Sequence, residues 1–194
     1  MLPRKRGAPK TLFETSRKVA KLEKKMALKT PELKYIDTFV GTVVNTGTVQ
    51  SISICDIGQG TANGERVGNK VKVVRIQVRG TIINDRSVPY FPTFHIWQSK
   101  SNSNPTTGDF PGLDGNVIDA RKYVEWFYHA PFTDAENSGN SCTGQVRFPN
   151  GLIVHYDGSA TTAQVRNKLG YTIVNSSGTN QTPSLVIRVW YYDV

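Results

Sequence analysis

Little in this chain can staple, span or catalyse. Its 194 residues contain two cysteines, Cys55 and Cys142, enough for one bridge at most, and the sequence points to buried thiols instead of a disulfide framework. Of the three histidines no two have the i, i+4 helical spacing of a metal site. No stretch approaches the roughly 18 uninterrupted apolar residues that a membrane span needs, and no apolar segment follows Met1-Leu2-Pro3-Arg4-Lys5-Arg6 to serve as a secretion signal. The Asn175-Ser176-Ser177 and Asn180-Gln181-Thr182 sequons therefore read as chance matches. What remains, at 38% hydrophobic residues with 17 glycines, is the composition of one globular domain.

Acidic residues are scarce at one place in particular. Residues 1–30 hold ten cations (Arg4, Lys5, Arg6, Lys10, Arg17, Lys18, Lys21, Lys24, Lys25 and Lys29) against Glu14 and Glu23, a net of +8. The other 164 residues hold 14 basic and 13 acidic side chains, a net of +1. A basic arm on a near-neutral domain is the pattern of a phosphate-binding segment, acting through counterion release. Thr11 and Glu14 have capping-box spacing and Pro31 stops a helix, which predicts a helix over 12–29. Leu12, Val19, Leu22 and Met26 form its thin apolar stripe, opposite the cations. Such a helix orders only against nucleic acid or a neighbouring subunit, and residues 3–10 are expected to be disordered. Pro3-Arg4-Lys5-Arg6 also has the form of a nuclear import signal.

After Pro31 the chain changes to short β-branched and aromatic runs broken by Gly, Asn, Ser and Pro, the signature of a sandwich or barrel. Eight strands are predicted, over 47–56, 70–84, 90–99, 120–129, 143–148, 151–157, 169–175 and 184–193, with an edge strand within 34–44. In the second, Val71 and Val73 share one phase and Val74, Ile76, Val78 and Ile82 another, which predicts a β-bulge at Val73-Val74. The loop over 99–116 is long enough to be a contact-making surface loop.

No catalytic constellation emerges. His95, His129 and His155 each fall inside a strand beside an aromatic residue and read as packed sheet residues. The run Gly139-Asn140-Ser141-Cys142-Thr143-Gly144 misses the nucleophile-elbow spacing by one residue and reads as a turn. The glycines of 58–64 lack the ending of a phosphate loop and read as a turn too. Asp109 and Asp114 flank Pro111-Gly112 and read as solvated loop carboxylates in preference to an ion site. The aromatics Tyr123, Trp126, Phe127, Tyr128 and Trp190-Tyr191-Tyr192 suit core or subunit packing better than a stacking platform for bases. No metal or other cofactor is expected.

Several runs carry a resemblance. Glu32-Leu33-Lys34-Tyr35-Ile36-Asp37-Thr38, Gly58-Gln59-Gly60, Arg66-Val67-Gly68-Asn69-Lys70 and Arg75-Ile76-Gln77-Val78-Arg79-Gly80-Thr81-Ile82 resemble the lead-in, R-x-G-N/D-K and I-x-V-R-G runs of capsid proteins from circular Rep-encoding single-stranded DNA (CRESS DNA) viruses. These are themselves similar to the satellite tobacco necrosis virus capsid, and Val189-Trp190-Tyr191-Tyr192-Asp193 resembles the group's last strand. The chain departs from the pattern over His95-Ile96-Trp97-Gln98-Ser99-Lys100. The resemblance implies an all-β, eight-stranded single jelly roll with two four-stranded antiparallel sheets over 31–194, carrying the basic arm 1–30. It implies a non-enzymatic coat protein that self-assembles into the smallest icosahedral shell (T=1, roughly 60 subunits). Single-stranded DNA would be packaged by the ten arm cations, with Arg4, Lys5 and Arg6 serving import into the host nucleus. The same layout around single-stranded RNA, or a cellular β-sandwich module with a basic tail, are the alternatives. Removing residues 1–30 is expected to abolish nucleic-acid binding and leave a folded β domain.

Overall fold

The computed structural model describes residues 17–19, 21, 31–45, 47–62, 64–83, 92–110, 118–130, 139–159, 164–175, 180 and 182–194. The chain divides into two units, Met1–Glu32 and Leu33–Val194. In the first, residues 17–19 and 21 are helical, inside the predicted span 12–29, whose other residues, like the segment 3–10, lie outside the described residues.

The second unit has nine strands among the described residues: β1 (Lys34–Val40), β2 (Thr48–Ser53), β3 (Lys70–Ile83), β4 (Thr93–Ser99), β5 (Tyr123–His129), β6 (Gly139–Tyr156), β7 (Gln164–Arg166), β8 (Leu169–Asn175) and β9 (Thr182–Asp193). They form two antiparallel sheets, β1-β9-β3-β6-β7 and β2-β8-β4-β5. The chain changes sheet at every connection except β4 to β5 and β6 to β7. With β7 set aside, each sheet has the four strands of a double Greek key, so the fold is a jelly roll. The expected pair of four-stranded sheets is thus extended by one short strand. Three residues are too few for a period to show in the sequence, which is why β7 is missed.

The predicted bulge is present: the pairings of β3 with both β6 and β9 jump from Val73 to Arg75, leaving Val74 out. The slip keeps Val71, Val73, Ile76, Val78 and Ile82 on one buried face. The strands expected at 143–148 and 151–157 are one strand, because the turn signal Pro149-Asn150-Gly151 is taken up opposite that bulge. There β6 spends residues 148–151 against the single residue Val74. The run 139–144, expected to turn, opens the same strand and pairs with β3 from Ile83 to Val78. Gly80 shows why β3 tolerates only glycine at its contact with β9: its φ is +149° and an added Cβ would stand 2.0 Å from the Ser184 carbonyl oxygen.

The space between the sheets is filled by the inward residues of β3 and β9 (Leu185, Ile187, Val189, Tyr191) against Phe94, Ile96, Leu169, Tyr171 and Ile173. A second apolar cluster, Trp97, Phe110, Ile118, Tyr123 and Val174, lies outside it. Phe110 and Ile118 pack with Trp97, so these described residues cover part of the four-stranded sheet. That is why β8 is buried at every residue. The outward face of the five-stranded sheet has no such cover among the described residues.

Candidate nucleic-acid interface

Of the ten arm cations, Arg17, Lys18 and Lys21 fall on helical residues and are exposed. Spacings of one and four residues put them on one side of that turn. Arg4, Lys5, Arg6, Lys10, Lys24, Lys25 and Lys29 lie outside the described residues.

The β domain holds a second concentration of charge that its net of +1 conceals. Alternation along β3 turns Lys70, Lys72, Arg75, Gln77, Arg79 and Thr81 away from the core, and the register aligns them with outward residues of neighbouring strands. One row reads Tyr35, Trp190, Arg75, Arg147 across β1, β9, β3 and β6. The next reads Asp37, Arg188, Gln77, Gln145, and the third Phe39, Val186, Arg79, Thr143. On the other side of the first row stand Tyr192, Lys72 and Ile153, then Lys70, His155 and Arg166. Seven of the domain's 14 cations and one of its 13 acids occupy the described part of this face.

The rows are held in place by contacts. Arg188 makes a two-pronged ion pair with Asp37 (Nε to Oδ1 2.7 Å, Nη2 to Oδ2 2.6 Å) and lies 4.2 Å above the Tyr35 ring. The Asp37 carboxylate lifts the Arg188 pKa further, against a smaller opposing effect of burial. Arg75 stacks 4.3 Å over Trp190, whose ring is 5.2 Å from Tyr35. With its amide oxygen turned to the guanidinium, Gln77 accepts from Arg79 at 2.8 and 3.1 Å, and Gln145 likewise accepts from Arg147 at 3.2 and 2.5 Å. His155 is held below its ordinary pKa by partial burial and by the nearby charges of Lys70 and Arg166. A shallow depression lined by Gln77, Arg79, Val186 and Arg188 interrupts the face.

The other candidate residues are kept apart. His95 is fully buried and bonded to Glu125 (2.5 Å) and Thr93 (2.9 Å). His129 pairs in register with the core-facing Phe94, so it lies on the opposite face from His95, and burial lowers its pKa. His155 is in the other sheet. Both cysteines are free and buried, and burial pushes both thiols up to about 12, in Cys55 against the hydrogen bond to Tyr156.

Asp109 is not a solvated loop carboxylate. It is 4% exposed and bonds Lys122 Nζ (2.6 Å), Thr106 N (2.8 Å) and Thr106 Oγ1 (2.9 Å). Burial alone would raise its pKa, but these donors together lower it. Asp114 lies outside the described residues. The described residues of 58–64 lie in a loop tied by Gly60 N–H to Arg66 C=O, at 2.9 Å, in keeping with the turn expected there. Among the described residues no three metal-ligating side chains converge. Of the aromatics, Tyr123 and Tyr191 are core, Trp126 packs edge-on to Phe148 at 5.0 Å, and Trp190 belongs to the cationic face.

Sequence reasoning missed this face because each arginine comes from a different strand or alternates with neutral residues. The legible signal was Arg75-x-Gln77-x-Arg79, polar at every second position of a strand. It missed Arg66 as well, a fully buried guanidinium in the 66–70 run.

The fold therefore defines a single jelly-roll domain with one cationic face, joined to a basic segment. No protein-family model and no curated protein matches the chain. Among solved structures it is similar to the VP2 subviral particle of infectious bursal disease virus, at 12% identity and a TM-score of 0.29, over 84% of this chain and 33% of that one. It is also similar to the T13 viral particle of the same virus, at 13% identity and a TM-score of 0.28, over 84% and 31%. The chain thus spans about a third of the length of these structures.

Proposed function

We propose that the chain is a viral capsid protein of the CRESS DNA virus type, which self-assembles into a small icosahedral shell and packages single-stranded DNA through residues 1–30. The observation that carries this reading is the joining of a jelly-roll domain to a segment with ten cations and two acids. Jelly rolls also serve as lectins and cupins, but those bind small ligands in the fold and have no use for such an arm. Packaging has to tolerate any sequence, and a segment dense in cations binds phosphate without reading bases. In a shell of roughly 60 copies the arms would bring about 480 positive charges, enough for a genome from a few hundred to somewhat over a thousand nucleotides. The role is structural and non-catalytic. Arg4, Lys5 and Arg6 serve entry into the host nucleus before assembly, and the mature location is the virion.

The test is to purify assembled material from expressing cells, digest outside nucleic acid, extract what is protected, and treat it with DNase or RNase. DNase-sensitive, single-stranded material supports the reading. RNase-sensitive material replaces it with the satellite-RNA alternative, and no protected nucleic acid at all overturns packaging.

A further inference from the structure

We propose that the outward face of the five-stranded sheet is a second, folded binding surface for single-stranded nucleic acid, separate from the arm. It rests on the capsid reading only in the choice of a single-stranded ligand. Three features of the face point there. Its charge is one-sided: Asp37 is the sole carboxylate on the described part, and Arg188 already holds it at both oxygens. Arg75 and Arg147 stand directly opposite each other on neighbouring strands, an arrangement that costs a sheet stability and that bound phosphates would relieve.

The cations are also pre-positioned. Arg75 and Arg188 lie over the rings of Trp190 and Tyr35, while Gln77 and Gln145 hold Arg79 and Arg147. Guanidinium forks fixed in this way lose little freedom on meeting a phosphate. Finally, the bed is shallow. The Thr143 hydroxyl stands beside Arg79 and those of Thr81, Ser141 and Ser184 occupy the row beyond, and Tyr35 and Tyr192 present partly exposed rings. Rings beside cations on a shallow bed suit a strand of any sequence.

The test uses the full-length chain and a fluorescent oligothymidylate, comparing the wild type with Arg75→Gln/Arg79→Gln/Arg147→Gln. Removing three phosphate contacts should reduce the slope of log affinity against log salt by about 2, so that from about 50 to 200 mM salt the wild type loses roughly fifteen- to twentyfold more affinity than the variant. An unchanged slope in a folded variant overturns the proposal. Photocrosslinking of wild-type protein to thio-substituted oligothymidylate covers the case of a variant that does not fold. Crosslinks on peptides holding Tyr35, Trp190 or Tyr192 support the face. Crosslinks confined to residues 1–30 overturn it and leave the capsid reading standing, whereas no binding anywhere overturns both. If poly-glutamate binds the wild type with the same salt slope and is lost in the same variant, the face serves an acidic protein segment and the proposal fails.

Discussion

Arg66 offers a sharp test of how the end of the sandwich is held. Its side chain is fully buried and no carboxylate among the described residues pairs with it; instead Nε donates to Ile57 C=O at 2.9 Å, Nη1 to Gly68 C=O at 2.6 Å and Nη2 to Gly158 C=O at 2.5 Å. The guanidinium also lies 4.2 Å over the Tyr156 ring, so one side chain ties together the loops before β3 and after β6. Arg66→Met keeps the apolar stem and strips the donors, leaving three carbonyls short of a partner. At about 1–3 kcal/mol each the gross loss is about 3–9 kcal/mol. Relief from burying a charge offsets part of it, for a net loss of about 2–4 kcal/mol. Against a total stability of about 5–15 kcal/mol this is a large fraction. Arg66→Lys, able to reach one or two of the carbonyls, should fall between. The assay is guanidinium unfolding of dissociated subunits, followed by fluorescence of the buried Trp97. A methionine variant within about 1 kcal/mol of wild type would refute the clamp.

Gly80→Ala would drive a Cβ into the backbone of β9 and should cost about 3 kcal/mol or more, read as a fall in unfolding midpoint. Cys55, with its thiol pushed up to about 12, should react with a disulfide reagent at neutral pH only as fast as the domain unfolds, whereas rapid labelling in the native state would contradict its burial. Because the folded-state pKa of Asp109 is depressed, its contribution is complete above about pH 4 and lost as pH falls through the folded value. Asp109→Asn should therefore cost about 1–3 kcal/mol at pH 7 and flatten the acid limb of the stability curve. The outward face also changes the expectation for deleting residues 1–30. The remaining domain should keep weak, strongly salt-dependent binding with a slope of no more than about −5 instead of losing it all.

How much the sequence disclosed depended on the length and regularity of each signal. The bulge at Val73-Val74 was legible because a 14-residue strand shows a phase slip, and 169–175 because its apolar run is bounded by loop residues on both sides. The continuity of β6 was not, since Pro149-Asn150-Gly151 has turn chemistry and only the facing bulge allows the strand to pass through it. The arm announced itself by local density of charge. The sheet face did not, because Arg75, Arg147 and Arg188 are scattered in sequence and meet only through register. Counting net charge hid it further, as Arg75 and Asp109 cancel on paper although they belong to different sheets' surroundings. Burial of Arg66 depends in part on the Gly158 carbonyl from a distant segment, which no local pattern announces, whereas the tie of Asp109 to Thr106 is a local T-x-x-D capping box that the sequence reading passed over.

The central claim is assembly around nucleic acid, and electron microscopy of the purified full-length protein, with the 260/280 nm absorbance ratio of the same sample, tests it most directly. The account predicts closed, uniform particles of roughly 20 nm with a high ratio. A monodisperse 21.5 kDa monomer at every salt and pH would contradict it, and would move the jelly roll and its cationic face to a cellular binding module.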